Sequence, residues 1–526
     1  MSFPPLPNAI QGAVVTRFPP EPSGFLHIGH VKAALLNSHY ARHYGGKLIL
    51  RFDDTNPSKE KGDYVVAITN DLHRLGIISD VTTHTSDYFD LLIEKCEELL
   101  HNGNAFVDNT PVDEMRTLRS TLQPSIRRDN SIEENVRLWN EMKKGSEEGL
   151  KCCVRLKIDY AHPNGTMRDP TIYRCNLEPH IRTGTKYKVY PIYDFVCPII
   201  DSLEGVTHCM RTNEYRERNP QYYYILDLFK LRRVEIVDFG RLNFEYTVMS
   251  KRLLTQFVDS GAVEGWNDPR FPTVQGIMRR GLTVEALASF IAAQGFSENI
   301  INMEWDRIWA MNKSVLEPTA ARFNAVIDPV EVELIGEGVS RDLDWRSVAL
   351  HPKNQSMGDK LMPYGPTVLI SRCDAVQIKQ GDKVTLMGWG NAFAEEIVVE
   401  NGELKSIKMR LALDDKVFKK TLKLQWVTKS AHNVEILAKY YGYLINVKKV
   451  EDQKFEDIIE RNSFKQISII GEPALKNMPL GRHFQLQRLG FFIVDSAFKI
   501  NRGMELIFIP SGRGELTIAE LFPNKN

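Results

Sequence analysis

Residues 13–52, "AVVTRFPPEPSGFLHIGHVKAALLNSHYARHYGGKLILRF", limit the fold of this chain more than any other stretch. "AVVTRF" (13–18) is rich in β-branched residues and predicts a short buried strand. "PPEPSG" cannot continue a strand or a helix interior, because proline fixes φ and has no N–H to donate. From Gly29 onward "HVKAALLNSHYARHY" has helical spacing, with Val31, Ala34, Leu35 and Ala41 expected on one face. "GG" ends that helix, and "KLILRF" (47–52) predicts a second strand. Strand, helix and strand within about 40 residues read as a parallel βαβ unit with a right-handed crossover. Ligands of such units sit beyond the carboxyl ends of the strands. "GFLHIGH" (24–30) and "RFDDTNP" (51–57) both fall at that edge.

Beyond this unit the texture changes twice. Charged helical sequence follows in "DYVVAITNDLHRLGI" and "YFDLLIEKCEELLHNGNAF". Residues 110–150 are polar and locally basic, a pattern open to helix or mobile loop; "CCVRLKID" and "YKVYPIYDFVCPIIDSLEGVTH" then bring back strand-like apolar runs. Residues 253–310 turn helical, as in "EALASFIAAQG". After about residue 320, short β-rich runs such as "PTVLISR", "DKVTLMGWG", "IKMRLAL" and "MELIFIP" recur between Gly, Asp and Asn, which predicts antiparallel barrels. No fixed-period repeat stands out.

Composition narrows the class. The 526 residues exceed what one core organises, and about 150 residues per domain gives three or four domains. Hydrophobic content of 43% with 25% charged residues excludes a disordered chain. No apolar run approaches the ~18 residues of a membrane helix, so no membrane partner is expected. The opening "MSFPPLPNAIQG" has neither a secretory nor a transit-peptide layout, which makes a cytoplasmic location the default. Seven cysteines (96, 152, 153, 175, 197, 209, 373) form an odd set without a CxxC pair, against a disulfide scaffold or zinc ribbon. The formal net charge is zero, so a polyanionic partner must be met by local basic patches.

His27 and His30 admit three readings. Zinc needs three or four ligands, and no HExxH or carboxylate–histidine set completes a site. They also read as satisfied histidines at a helix start. The third reading uses their place: a glycine-bearing loop opening a helix aims unpaired N–H groups and the positive dipole end at an anion. Gly29, lacking a side chain, lets a base or ribose lie against the backbone. This predicts a nucleotide triphosphate site.

"HIGH" after a strand and Pro/Gly loop, with "VMSKR" (248–252) far downstream, resembles the class I aminoacyl-tRNA synthetases. "RFPPEPSGFLHIGH", "RFDDTNP", "PIYDFVCPIID" and "GVTHCMRTNEY" narrow the resemblance to the glutamyl/glutaminyl branch, over nearly the whole chain from about residue 13. The resemblance implies an α/β Rossmann-like catalytic domain with an acceptor-stem insertion, a helical connecting domain and C-terminal antiparallel β-barrels. The implied boundaries are 1–94 and 193–252 for the two catalytic halves, 95–192 for the insertion, 253–320 for the helical domain and 321–526 for the anticodon barrels. It implies ATP with Mg2+, the ion held mainly by phosphates and water, and no metal ligated by the histidines.

By the same resemblance, His27 and His30 contact the ATP phosphates and act with Lys251 as the catalytic groups, joined in ATP binding by Gly29, Arg241, Ser250 and Arg252. Asp53 at the end of the second strand holds the amino acid's ammonium, and Asp54 reads as an Asx cap. Arg17 and Tyr193 face the amino acid, and Glu21 approaches the acceptor end of tRNA. Arg211 separates the two substrates. Its position is an arginine in glutamyl enzymes and a cysteine in glutaminyl ones, and a bidentate arginine suits a carboxylate where an amide cannot match it. L-Glutamate and tRNA(Glu) are therefore the expected partners, and a glutaminyl-tRNA synthetase is the alternative.

In the rear barrels, Arg322, Gln485 and Arg488 match anticodon-contacting residues of the glutaminyl relatives; Gln487 and Arg482 are nearby and less specific. "KVFKKTLKLQWVTK" (416–429) interleaves five lysines with Phe418 and Trp426, and reads either as a solvated barrel face or as a phosphate track. The sequence lacks the long amino-terminal appendage common in eukaryotic members, leaving other translation factors as open partners. The resemblance also implies that glutamate activation needs bound tRNA. A small-molecule nucleotidyltransferase of the same superfamily would not need the β-rich rear, and a non-catalytic tRNA-binding paralogue would not need His27, His30 and Lys251 together.

Overall fold

A computed structural model describes residues 4–295, 302–515 and 517. Residues 1–3, at the front of the amino-terminal stretch read above, lie outside that description, as do 296–301 of the helical region and 516 and 518–526 of the rear region. Two compact units emerge: Met1–Asn243 with Ile291–Ile301, and Phe244–Phe290 with Asn302–Asn526. The division near 243 puts the Ser250–Arg252 segment in the second unit.

The first unit is built on β1 (Val15–Phe18), α1 (Ile28–His43), β2 (Lys47–Phe52), α2 (Gly62–Arg74) and β3 (Val81–His84). β1 and β2 pair in parallel from Val15↔Lys47 to Phe18↔Leu50, and β3 extends the same parallel sheet. The crossover is tight: a Cβ at Gly46 would lie 1.8 Å from the Val14 carbonyl, so only glycine lets the chain turn from α1 into β2 here. In α1 the buried face holds Val31, Ala34 and Ala41 as expected, but with Leu36 in place of Leu35, which is only half-buried. Buried Lys32 and Asn37 widen that face beyond an apolar stripe.

After β3 come α3 (Phe89–His101), β4 (Ala105–Asp108), α4 (Val112–Ser120), α5 (Ile132–Lys144), β5 (Cys153–Leu156), β6 (Thr171–Cys175) and β7 (Val189–Pro191). The four strands form an antiparallel sheet, and its core includes Leu92, Cys96, Trp139, Tyr173 and Tyr190. Residues 110–150 are thus two helices and their connections. The chain returns through α6 (Tyr193–Leu203), β8 (His208–Thr212), α7 (Asn219–Leu228) and β9 (Glu235–Phe239).

The strand-like run "YDFVCPIIDSL" is a helix. It is buried from Phe195 to Ser202, and a segment buried on all sides loses the periodicity that separates helix from strand. β8 and β9 pair in parallel, and Thr207 N–H donates to the Val15 carbonyl (2.9 Å), placing β8 beside β1. No described helix is long and apolar enough to cross a membrane.

The second unit begins with helices Lys251–Asp259, Val274–Arg279, Val284–Gln294 and Trp305–Leu316, the third of which runs on into residues of the first unit. Two seven-stranded sheets follow, each nearly closed on itself. Their pairing is mainly antiparallel, with parallel ladders between 329–335 and 403–412 and between 434–441 and 503–509.

The two sheets share a plan that the sequence hides. "GDKVTLMGWG" (381–390) and "GRHFQLQRLG" (481–490) form matching hairpins, with Leu386↔Gly390 and Leu486↔Gly490 in equivalent register. Gly388 (φ 75°) and Arg488 (φ 66°) occupy the same left-handed corner. Only the two glycines and one leucine are identical between the hairpins, too sparse for periodicity to register.

Candidate active site

The loops after β1 and β2 are tied together at the carboxyl edge of the sheet. Asp53 N–H donates to the Pro20 carbonyl (3.0 Å) and Lys61 N–H to that of Pro22 (3.1 Å). Between them α1 opens with His27 as N-cap. The His27 Nδ1 accepts from Gly29 N–H (3.1 Å), and the His27 N–H donates to His30 Nδ1 (3.3 Å). This is a capping box made of two imidazoles.

With each Nδ1 accepting, each neutral ring carries its proton on Nε2. The rings lie 3.8 Å apart. Burial, then the neighbouring imidazole and the Arg241 guanidinium, hold His27 well below its usual pKa. Burial and Arg241 push His30 down to about 4. Two neutral Nε2–H donors at a helix N-terminus without an acidic first turn suit an anion. Lys32 donates to the Gly240 carbonyl (2.8 Å) and fixes the chain next to Arg241, whose guanidinium reaches Glu214 (3.2 Å).

Asp53 and Arg211 are among the buried charges of this unit that keep an unpartnered atom. Asp53 is 9% exposed, its Oδ1 has no partner, and burial raises its pKa to about 7 despite the Thr55 hydrogen bond and the Arg51 charge. Arg211 is 6% exposed on β8; it donates to Asn219 Oδ1, packs over the rings of Tyr215 (5.6 Å) and Tyr222 (5.1 Å), and leaves Nε without a partner. Tyr215 packs on Tyr193 (5.8 Å); burial chiefly raises its pKa and Asp53 adds the smallest of the named contributions, so the carboxylate is within electrostatic range of the tyrosine that Arg211 packs over.

Arg17, expected to face the amino acid, is held by the protein. It is 1% exposed, and each of its nitrogens has a protein partner: Asp201 through Nε (3.1 Å), the Met210 carbonyl (3.2 Å), and the thiols of Cys209 (2.8 Å) and Cys197 (3.5 Å). It braces β8 one residue before Arg211. Sequence reasoning missed the hub of this brace. Asp201 also accepts from Arg51 and from the Tyr222 hydroxyl (2.9 Å), and its carboxyl lies well below the usual range; burial opposes that shift and the two arginines outweigh it. An aspartate ending the apolar run "VCPIID" was the available signal.

Glu21 is exposed and accepts from the Ser23 hydroxyl (3.0 Å). Asp54 is not the local Asx cap expected: it takes the Ser86 N–H (2.8 Å) and hydroxyl (2.6 Å), 32 residues further along the chain. Among the described residues, no group of three or more His, Cys, Asp or Glu is placed to hold a metal ion.

In the second unit, Ser250 is the N-cap of helix Lys251–Asp259, and Lys251 and Arg252 lie exposed in a first turn without acids. Cations there oppose the helix dipole, a conflict an anionic ligand relieves. Arg322 and Gln485 share one register position of a parallel ladder. Arg322 pairs with Glu317 (2.7 Å) and keeps its Nε open; Arg488 grips Asp374 through both terminal nitrogens (2.6 and 2.9 Å). Trp426 is fully buried and donates to the Met387 carbonyl (2.9 Å), which removes it as a stacking platform; Phe418 is exposed.

A family described as "tRNA synthetases class I (E and Q), catalytic domain" matches residues 13–318. Two families of the anticodon-binding domain of the same enzymes match 320–412 and 423–495. A probable cytoplasmic glutamate–tRNA ligase of Schizosaccharomyces pombe is 46% identical over 97% of this chain and 71% of its own. A bifunctional glutamate/proline–tRNA ligase of Drosophila melanogaster is 48% identical over 94% of this chain and 29% of its own, so the chain spans less than a third of that relative's length. A solved glutamate tRNA ligase of Elizabethkingia meningosepticum aligns at 16% identity and a TM-score of 0.44, covering 59% of this chain and 70% of its own. The chain belongs to the glutamyl/glutaminyl (E and Q) family of class I tRNA synthetases.

Proposed function

We propose that this chain joins L-glutamate to tRNA(Glu) at the expense of ATP, in the cytoplasm, as the names of its relatives suggest. One observation carries the choice of amino acid. A buried guanidinium with an open Nε (Arg211) and a buried carboxylate with an open Oδ1 (Asp53) share a neighbourhood, complementary to an amino acid bearing an anionic side chain and an ammonium. Glutamine would leave the Arg211 charge uncompensated.

In the proposed reaction, a glutamate α-carboxylate oxygen attacks the α-phosphorus of ATP and the bond to pyrophosphate breaks. A hydroxyl of the terminal tRNA ribose then takes the acyl group from the adenylate, and AMP leaves. The first step brings anions together, so positioning and charge stabilisation dominate. The Nε2–H groups of His27 and His30 donate to phosphate oxygens, beside Gly29 and Arg241. Lys251, with Ser250 and Arg252, supplies positive charge for the leaving pyrophosphate. Mg2+ arrives with ATP, held by phosphates and water.

Asp53 takes the ammonium and Tyr193 packs along the side chain. Glu21 is assigned to the acceptor end of tRNA, and Arg322, Gln485 and Arg488 to the anticodon. The test charges total tRNA with labelled glutamate and, separately, labelled glutamine. Glutamate alone is expected; glutamine alone would overturn the role given to Arg211. ATP–pyrophosphate exchange is expected to need tRNA, and equal rates with and without tRNA would remove that part of the reading.

A further inference from the structure

We infer that the second unit holds a small monovalent anion of the halide class in a cavity walled by Arg280 and Trp309. The cavity, about 20 Å³, is also lined by Thr247, Arg270, Trp305 and Tyr443, and no acidic residue lines it. A single water needs about 10–15 Å³ on this measure, so there is room for one small body.

The neighbouring arginines show what is missing. Arg279 is paired with Asp495 (2.7 and 2.9 Å) and Glu264 (3.0 Å), and Arg270 with Asp268 (2.9 and 2.8 Å). Arg280, 8% exposed, has no carboxylate bonded to it. One Nη donates to the Tyr441 carbonyl (2.6 Å), its Cζ lies 5.5 Å from the centre of the Trp309 ring, and its Nε has no partner. Burial pushes its pKa down to about 10, and Asp268, which is bonded to Arg270 instead, offsets that only in part.

Trp309 is 1% exposed and its Nε1–H is also unpartnered, whereas Trp305 Nε1 donates to the Thr247 hydroxyl (2.8 Å). The two orphaned atoms of the lining are therefore both donors. A water would accept from both and still need acceptors for its own two hydrogens. A halide accepts from both and supplies the absent charge. Thr247 precedes Ser250 by three residues, so an occupied cavity braces the segment leading to the Ser250–Arg252 turn.

Two measurements test this on the full chain. In crystals grown with sodium bromide as the only halide, data at the bromine absorption edge should show an anomalous peak in contact with Arg280 Nε and Trp309 Nε1. Anomalous peaks elsewhere with an ordinary water at this position would overturn the inference. In solution, chloride in place of gluconate at equal ionic strength should raise the melting temperature by about 2 °C or more, because an anion that binds only the folded state stabilises it by mass action. The rise should vanish in Arg280→Met. Equal melting temperatures of the parent in the two salts would also overturn it. If Arg280→Met does not fold, the bromide map of the parent decides.

Discussion

Arg211 and Asp53 in the first unit are buried with Nε and Oδ1 unpartnered, whereas Arg322 and Arg488 in the second unit each already hold a carboxylate, Glu317 and Asp374. The first pair has been removed from water without full compensation, a state costing several kcal/mol per charge. A ligand that completes both therefore gains much of what burial costs. The second pair has its charge balanced before tRNA arrives; Arg488 is 43% exposed, while Arg322 is 18% exposed and shares with Arg211 an unpartnered Nε. An incoming base must compete with an existing ion pair or use it as a fixed platform. The same residue type thus predicts large substitution effects in the amino-acid pocket and small ones in the barrels.

The largest effect belongs to Arg211. Arg211→Cys should lower kcat/KM for glutamate by about 10³-fold, the scale of an uncompensated buried carboxylate. Glutamine charging need not rise, because removing the guanidinium does not by itself supply partners for an amide. Unchanged glutamate charging in this variant would break the contrast at its strongest point.

Asp53→Asn comes next, with a loss of about 10²-fold carried mainly by the KM for glutamate. The parent gives the same site a pH signature. With the Asp53 pKa about 7, the carboxylate proposed to receive the ammonium is protonated below that pH, so kcat/KM for glutamate should climb from pH 6 and level off above 7. The asparagine variant should lose that limb.

Stability should move the other way. The folded pKa is raised above the unfolded value, so the native state binds the extra proton between about pH 4 and 7 and loses stability as pH rises through that window. Asp53→Asn should therefore melt higher than the parent at pH 8, and the difference should vanish near pH 4. Equal melting temperatures at pH 8 would mean that Asp53 is better solvated than its burial indicates.

An intermediate effect is expected at Asn219, which accepts from Arg211 and donates to Asp238 (3.0 Å). Asn219→Asp would hand Arg211 an internal counter-ion. The KM for glutamate should rise about 10- to 30-fold with kcat little changed, as for an interaction made equally in ground and transition states, and discrimination against glutamine should narrow. Asn219→Ala, which removes orientation without adding charge, should cost about fivefold or less. If the two variants behave alike, the aspartate's charge is not reaching the guanidinium.

The parts legible in the sequence were those written in local pattern. Residues 13–52 folded as their punctuation predicts, because proline, glycine and β-branched residues act within a few positions of themselves. The β texture of the rear region was legible for the same reason. What stayed hidden depended on partners far along the chain. Arg17 looks like any strand-end arginine until Asp201, 184 residues away, takes its Nε. Helix α6 read as a strand because its burial is complete, and the shared plan of the two barrels escaped notice because only Gly381, Leu386 and Gly390 reappear, as Gly481, Leu486 and Gly490. Family resemblance named Asp53 and Arg211 as substrate residues, but their unpaired atoms, the physical support for the role proposed for them, belong to three-dimensional surroundings alone.

The smallest effect separates platform from competitor in the barrels. Arg488 occupies a left-handed corner where the sister hairpin has glycine, a conformation that is strained for a long side chain. Its two bonds to Asp374 and a third to the Lys423 carbonyl (3.0 Å) hold it there. If Asp374 presents Arg488 to the anticodon, Arg488→Ala and Asp374→Asn should both raise the KM for tRNA by about three- to fivefold, modest because the pair is partly solvated. The double variant should then be no worse than Arg488→Ala, since the two residues act as one unit. A lower KM for tRNA in Asp374→Asn would show instead that the carboxylate competes with the anticodon for Arg488, and the ion pair would be a barrier to binding.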